Sequence, residues 1–243
     1  MIDFNNPSLK DKIYFQDDDA IIYYGDCREI LPEFEDKSFD LCLTDPPYGV
    51  DIAKSGTVGG NNLAVCKDYG ASDWDKSRLD IELIRLLQTK SKNQIIFGGN
   101  YIADLLPASP CWIIWDKREG LPSNNFADCE LIWTSFNKPS RLNSYLWQGM
   151  LQKHMGDKEV RQHPTQKPIE IIGKLIETFS DTDNLILDPF MGSGTTLRAA
   201  KNLNRKAVGI EISEEYCKIA VGRLWQSVMK FRIEKYKRKL TNR

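Results

Sequence analysis

Two short apolar runs in this sequence each end abruptly at an Asp-Pro pair. Residues 41–49 read LCLTDPPYG, and residues 184–200 read NLILDPFMGSGTTLRAA. Proline has no backbone N–H and cannot donate to a strand ladder, so each run predicts a strand that stops at the pair. Continuous apolar runs are typical of central strands in a parallel sheet, because both faces of such a sheet are buried.

Strand-like and helix-like segments alternate along the rest of the chain. This alternation predicts a mostly parallel sheet with helices on both faces. The predicted strands are residues 20–24, 39–43, 94–97, 111–115, 130–134, 185–187 and 207–210. The predicted helices are residues 27–31, 77–91, 101–106, 169–179, 195–203 and 214–235. Residues 51–72 are rich in Gly, Asn and Ser and predict a long loop.

The composition is that of a soluble globular protein. A chain of 243 residues is long enough for one α/β domain, and we expect a single domain over residues 1–243. It contains no run of 18 apolar residues and no basic-then-apolar start, so we expect neither a transmembrane helix nor a signal peptide. The six cysteines never form a CxxC pair, and several lie in apolar strand-like runs, which favours free buried thiols in a reducing cytoplasm over a zinc or other metal site.

Charge is distributed unevenly although the net charge is only −1. Residues 1–50 contain 12 acidic and 4 basic side chains, whereas residues 229–243 contain 7 basic and 1 acidic. A basic tail suits a polyanion such as nucleic acid. The alternative is a solvated helix end, where positive charge complements the helix dipole.

The second apolar run leads into a candidate nucleoside site. After the strand come Gly192 and Gly194, and a helix is predicted to open at Thr195. Glycines let a ligand approach the backbone, and a helix start offers free N–H groups. Glu211 follows the next predicted strand, where a carboxylate can accept hydrogen bonds from ribose hydroxyls. The alternative is a strand–turn–helix whose glycines serve only the geometry of the turn.

The two motifs together resemble those of the amino-directed DNA methyltransferases. DPPY at residues 45–48 and DPFxGSGTT at residues 188–196 are typical of that family, and supporting segments extend the resemblance over residues 20–225. Because DPPY precedes the glycine motif, the order resembles that of the β-group. The resemblance implies a Rossmann-like sheet of seven strands in circularly permuted order.

The resemblance also implies S-adenosyl-L-methionine as the cofactor. The segment YYGD at residues 23–26 resembles the one whose aspartate contacts the adenine of the cofactor, and HPTQKP at residues 163–168 resembles the one beside its methionine moiety. The cofactor-binding residues implied in this way are Asp26, Thr165, Gln166, Lys167, Asp188, Phe190, Gly192, Gly194, Thr195, Thr196 and Glu211.

The same resemblance assigns catalysis to the DPPY corner. Asp45 and the carbonyl of Pro46 would accept the two N–H groups of an exocyclic amine, and Tyr48 would stack on the flipped base. Pro47, together with Pro46, would hold these acceptors rigid, which limits reorganisation in the transition state. The alternative is a rigid turn that merely ends the strand.

Adenine N6 is the favoured target, because Asp opens the motif here and Ser is usual in cytosine-N4 enzymes. Cytosine N4 is the nearest alternative, followed by an RNA or protein amide methyltransferase and by a catalytically silent DNA-binding relative. We expect double-stranded DNA as the partner, with a homodimer and a cognate restriction endonuclease as further candidates. A small target-recognition insertion is predicted at about residues 136–162.

Some residues allow two interpretations from the sequence. Asp26 could contact the cofactor or cap a helix. Asn100 lies in a segment, residues 97–100, that resembles a target-side segment of the family, but it could also be a helix N-cap. Trp115 could line the base pocket or lie in the core. His163 is expected to anchor its loop rather than to act as a base. The candidate DNA contacts are Lys138, Arg141, Asn143, Tyr145, Trp147, Gln148, Lys153, Lys158 and Arg161.

Overall fold

A computed structural model describes residues 7–49 and 79–225, apart from 125–126, 149–150, 155, 157–158, 160–161 and 163–164. The predicted loop at 51–72 and the basic tail therefore lie outside the described residues, as do Cys66, Lys158, Arg161 and His163. Within the described residues, no helix is long and apolar enough to cross a membrane.

Eleven strands and five α-helices make up the described structure. The strands are β1 (Ile13–Gln16), β2 (Ala20–Tyr24), β3 (Phe39–Thr44), β4 (Ser91–Ile96), β5 (Trp112–Asp116), β6 (Cys129–Thr134), β7 (Arg141–Ser144), β8 (Trp147–Gln148), β9 (Leu151–Gln152), β10 (Leu185–Asp188) and β11 (Lys206–Glu211). The helices are α1 (Cys27–Ile30), α2 (Ile81–Lys90), α3 (Ile169–Phe179), α4 (Thr195–Asn202) and α5, which is described over residues 214–225.

Nine of these strands form one sheet in the order β1-β2-β11-β10-β3-β4-β6-β5-β7. The five strands from β2 to β4 in this order are mutually parallel, whereas β1 and β6 run antiparallel to their neighbours. The predicted mostly parallel, Rossmann-like sheet is therefore confirmed, and all seven predicted strands lie in it. The sheet has nine described strands rather than seven, since β1 and β7 extend its two edges.

The helices cover both faces of the sheet, as predicted. Successive residues of β2 point to opposite faces, so Ile22 lies in one buried cluster with α3 and α4 while Ile21 lies in the other with α1 and α2. Burial stabilises each large aliphatic side chain by about 1.5–3 kcal/mol, so the two clusters hold the helices against the sheet. Four of the predicted buried free thiols are confirmed, at Cys27, Cys42, Cys111 and Cys217, whereas Cys129 is exposed.

The predicted helix at residues 101–106 is wrong. The structure has a single 3-10 turn at Gly99–Tyr101 followed by bends and turns. Gly98 enters this turn with a left-handed φ of 63°, and Pro107 disfavours helical geometry at the residue before it. The segment between them is too short to repay the cost of helix nucleation.

Candidate active site

Adjacent parallel strands bring the two Asp-Pro corners together. Strand β10 pairs with β3 in register, with Ile186 opposite Leu41 and Leu187 opposite Cys42. The carboxyl ends of parallel strands meet at one edge of the sheet, which is where ligands bind in open α/β folds. At this edge lies a cleft of about 370 Å³.

Most of the predicted site residues line this cleft. They are Asp26, Asp45, Pro47, Thr165, Gln166, Lys167, Asp188, Phe190, Gly192, Thr195, Thr196 and Glu211. Three predicted residues, Pro46, Tyr48 and Gly194, do not line it. Gly194 instead has a left-handed φ of 76° and precedes α4, and an added Cβ there would lie 2.7 Å from the Cβ of Ala220 in α5.

A buried hydrogen bond joins the two motifs at the floor of the cleft. The Thr44 hydroxyl, one residue before the DPPY corner, donates to Asp188 Oδ1 over 2.9 Å. Burial raises the pKa of Asp188 to about 7, although the hydroxyls of Thr196 and Thr44 and the N–H of Phe190 donate to it and oppose the shift. The two corners are thus fixed relative to each other by polar contact as well as by the sheet.

Glu211 binds the backbone at the side of the cleft that carries the glycine motif. Its two carboxylate oxygens accept the Gly192 N–H at 2.9 Å and the Ser213 N–H at 2.8 Å. Burial raises the pKa of Glu211, against the effect of these backbone donors. The Ile212 N–H also interacts with this carboxylate. A carboxylate has about four acceptor sites, so an acceptor site remains for a ligand hydroxyl.

Asp26 serves as a helix cap at the rim of the same cleft. Its side chain accepts the Arg28 N–H at 2.8 Å and so caps α1. The capping interpretation is therefore confirmed, and the contact with the cofactor stays a prediction. Asn100 does not cap a helix, because it lies inside the 3-10 turn whose N-cap is Gly98.

The DPPY corner holds a close polar cluster. Lys167 Nζ lies 2.5 Å from Asp45 Oδ2, and the Tyr48 hydroxyl donates to Asp45 Oδ1. The Tyr48 ring stacks on Tyr101, with ring centroids 4.9 Å apart and an angle of 19° between the planes. Burial raises the pKa of Asp45, and the positive charge of Lys167 opposes that shift. Lys167, which the sequence placed beside the cofactor, thus contacts the predicted catalytic carboxylate.

Gly98 provides a test of how Tyr48 is positioned. A Cβ added at Gly98 would lie 2.2 Å from Tyr48 Cε1, and the left-handed φ of 63° disfavours any side chain there. We expect Gly98→Ala to displace the Tyr48 ring and to lower the rate of base modification by about tenfold or more, since misplacing a positioning group costs rate steeply.

The control for this variant is Gly120→Ala, because Gly120 also has a positive φ, 87°, but no atom of the described residues lies within 4 Å of its added Cβ. Cofactor affinity measured by calorimetry should remain unchanged in both variants. Full activity in Gly98→Ala would show that the ring position of Tyr48 is not required.

Arg223 is a site residue that sequence reasoning missed. Its guanidinium on α5 donates to the Ser193 carbonyl at 2.9 Å and to the Thr195 hydroxyl at 2.9 Å, and it pairs with Glu159 at 3.0 Å. Burial lowers the pKa of Arg223 to about 10, and Glu159 opposes the shift. Arg223 therefore fastens the glycine loop from behind, from about 30 residues further along the chain. No local motif signals such a contact.

The region predicted for target recognition partly belongs to the sheet. Residues Arg141–Ser144 form β7 and pair in parallel with β5. Trp147 is buried, and Trp115 lies in the core, where its indole N–H donates to the Tyr145 carbonyl. The core interpretation of Trp115 is thus the correct one. DNA contact by the exposed Arg141 and by the other polar candidates stays a prediction.

Comparison with known proteins agrees with this geometry. The sequence model of the DNA methylase family, which covers N6 and N4 enzymes, matches residues 71–222. The type II methyltransferase M2.LlaDCHI of Lactococcus lactis subsp. cremoris is 28% identical over 257 aligned positions, which cover 89% of this chain and 93% of the relative. M2.MboI of Moraxella bovis is 27% identical, with 87% and 90% covered.

Solved structures show the same fold. A crystal structure of an M1.HpyAVI–SAM complex superposes with a TM-score of 0.53 at 25% identity, covering 84% of this chain and 99% of that one. The PvuII DNA methyltransferase, which is cytosine-N4-specific, superposes with a TM-score of 0.60 at 18% identity, covering 96% of both chains. The family match spans well over half of the sequence, and the protein therefore belongs to the DNA methylase family.

Proposed function

We propose that this DNA methylase transfers the methyl group of S-adenosylmethionine to the exocyclic N6 of an adenine flipped out of double-stranded DNA. The observation that carries the proposal is that Asp45 lines the same cleft as Glu211 and Gly192. An acceptor for an amine and a binding loop for a nucleoside thus face one space. A homodimer and a cognate endonuclease remain predictions from the sequence.

The residues of the cleft fit the proposed cofactor. Glu211 holds the glycine loop and keeps an acceptor site for a ribose hydroxyl, and Asp26 and Phe190 lie at the same wall. A volume of about 370 Å³ lies within the roughly 300–1,000 Å³ that is usual for small-molecule sites. When bound, S-adenosylmethionine supplies an electrophilic methyl group on a sulfonium.

The role of the chain is to prepare the amine. The lone pair of an exocyclic adenine amine is delocalised into the ring, so the amine is a poor nucleophile. Acceptance of its N–H groups by the Asp45 carboxylate and the Pro46 carbonyl favours a pyramidal nitrogen with an available lone pair. Because both acceptors sit on the rigid corner after β3, little reorganisation is needed in the transition state.

We expect Glu211→Ala to weaken binding of S-adenosylmethionine by roughly 1.5–3 kcal/mol, because a charged acceptor is lost. The variant also frees the Gly192 N–H, so loosening of the glycine loop adds to the effect. Isothermal calorimetry measures the change. Glu214→Ala is the matched control, since this nearby carboxylate on α5 is exposed and pairs with Lys218. Equal affinities in both variants would move the ribose contact away from Glu211.

Cytosine N4 is the second candidate target, because the same pair of acceptors suits any exocyclic amine. Asp45 as the first residue of the motif supports adenine. The experiment is to incubate the purified chain with methyl-labelled S-adenosylmethionine and unmethylated DNA, then to digest the DNA and separate the nucleosides. Label in N6-methyl-2′-deoxyadenosine supports the proposal, whereas label in N4-methyl-2′-deoxycytidine assigns the other base.

A further inference from the structure

Four buried or partly buried charges alternate in sign behind the catalytic corner. Lys167 Nζ lies 2.5 Å from Asp45 Oδ2 and 3.6 Å from Glu130 Oε2. Lys117 Nζ lies 3.1 Å from the other oxygen of Glu130, Oε1. The row Asp45–Lys167–Glu130–Lys117 thus runs from the cleft into strand β6 and the end of strand β5. We call this row the alternating-charge cluster.

Lys167 is the most enclosed member of the cluster. Its side chain is 8% exposed, whereas Asp45 and Glu130 each keep 22% of their side-chain surface exposed. Burying an ammonium group costs several kcal/mol unless carboxylates compensate it, so Lys167 requires at least one of the two acids. The centroids of the Phe97 and Tyr48 rings also lie 5.2 Å and 5.9 Å from Nζ.

Glu130 can accept a further hydrogen bond from Lys167. Its Oε2 has no hydrogen-bond partner in the part of the chain that the structure describes, and Lys167 at 3.6 Å is just beyond hydrogen-bonding distance. A shift of Nζ by about one ångström would complete a hydrogen bond of normal length there. Lys167 can therefore leave Asp45 without losing a charged partner.

We propose that Lys167 is a positioning residue for the methylation reaction, which keeps Asp45 ionised and oriented and moves toward Glu130 when the target amine takes its place. This inference rests on the proposed function and reassigns Lys167 from the cofactor to the target side of the cleft. The substrate amine and Lys167 Nζ are both donors to Asp45, so the lysine occupies a direction that an N–H of the base later uses.

The charges around Asp45 determine the sign of the expected pH effect. Lys167 and the Tyr48 hydroxyl stabilise its ionised form, whereas Glu130 and Asp188 disfavour it. Tyr101 stacks on Tyr48, and Lys117 pairs with Glu130. Without Lys167, the carboxylates of Asp45 and Glu130 would share a poorly solvated space, so the pKa of Asp45 would rise. A protonated Asp45 donates rather than accepts, and methyl transfer would be lost as pH falls.

The test compares single-turnover methylation of DNA at pH 5–9 in wild type, Lys167→Met, Glu130→Gln and the double variant. We expect Lys167→Met to lower the rate of methylation. The acid limb of its pH–rate profile should move to higher pH by about one unit or more, because two neighbouring buried carboxylates raise each other's pKa. The double variant should recover at least half of that shift, because the second negative charge is gone. Glu130→Gln alone should leave the limb at or below that of wild type.

Lys92→Met serves as the control, since Lys92 is an exposed lysine that pairs with Asp40 near the amino ends of β3 and β4, whereas the cleft lies at their carboxyl ends. Its profile should overlay that of wild type, and calorimetry should show unchanged affinity for S-adenosylmethionine in all variants. A limb that does not move in Lys167→Met, or a shift that the double variant does not reduce, would overturn the role of Lys167. Absence of methylation in wild type would instead refute the proposed function.

Discussion

Replacing Asp45 by alanine is expected to abolish methyl transfer while affinity for S-adenosylmethionine stays within about threefold, since the loss of a transition-state acceptor acts on turnover. Asp45 contacts Lys167 and Tyr48, whereas the glycine loop is held by Glu211 and Arg223. Different residues therefore position Asp45 and the glycine loop. We expect turnover to fall by roughly 10²–10³ or more, as for removal of a preorganised acceptor.

Single-turnover assays with enzyme in excess over DNA measure this effect, and calorimetry reports cofactor binding in the same preparation. Asp40→Asn is the control, because Asp40 is an acid on the same strand that pairs with Lys92 away from the cleft, and the amide oxygen can still accept the Leu185 N–H that Asp40 accepts at 2.9 Å. Its turnover should stay close to that of wild type. If Asp45→Ala retained a tenth of the normal turnover, Asp45 would not be the acceptor of the amine.

Replacing Arg223 by methionine is expected to have the largest effect on stability. The variant leaves Glu159 without its guanidinium partner and the Ser193 carbonyl without its donor. Breaking a buried ion pair by removing one partner costs about 3–5 kcal/mol, a large share of the total stability of a domain. Because Ser193 belongs to the glycine loop, affinity for S-adenosylmethionine should fall as well.

Urea denaturation followed by circular dichroism measures the loss of stability. Lys218→Met is the matched control on the same helix, because Lys218 is exposed and pairs with Glu214 one turn away. That variant should unfold close to wild type. If Arg223→Met unfolded at the same urea concentration as Lys218→Met, the contacts of Arg223 would contribute nothing net to the fold.

The strands that position the site were predictable because their sequences are unusually apolar and end sharply. The runs before Asp45 and Asp188 are continuously apolar and stop at proline, and few structures other than central parallel strands satisfy both conditions. Once both runs are taken as neighbouring parallel strands, their ends must meet. The local patterns thus predict the two strand ends, and the pairing of β10 with β3 in the structure brings these ends to one cleft.

The edge strands, and the absence of a helix at residues 101–106, were not predictable in this way. Arg141–Ser144 is mostly exposed, and its pairing with β5 supplies the order that its own polar sequence does not signal. Residues 101–106 have the composition of a short helix, but Gly98 and Pro107 limit them to turns. Tertiary pairing therefore outweighs local preference in the strand, whereas flanking residues outweigh it in the turn.

The partners of the buried charged side chains also could not be predicted from the sequence. Lys167 lies 122 residues from Asp45, and Arg223 lies 64 residues from Glu159. Nothing in HPTQKP distinguishes a lysine that faces the cofactor from one that faces the catalytic carboxylate. Only the folded arrangement of β3, β6 and the segment before α3 decides between these two positions.

The central claim is that Asp45 prepares an adenine amine of DNA for methylation. Single-molecule sequencing of DNA from a non-methylating host that expresses the wild type or Asp45→Ala tests it most directly. The account predicts N6-methyladenine at one recurring sequence with the wild type and none with the variant. Recurring N4-methylcytosine, or equal adenine methylation with both proteins, would contradict it.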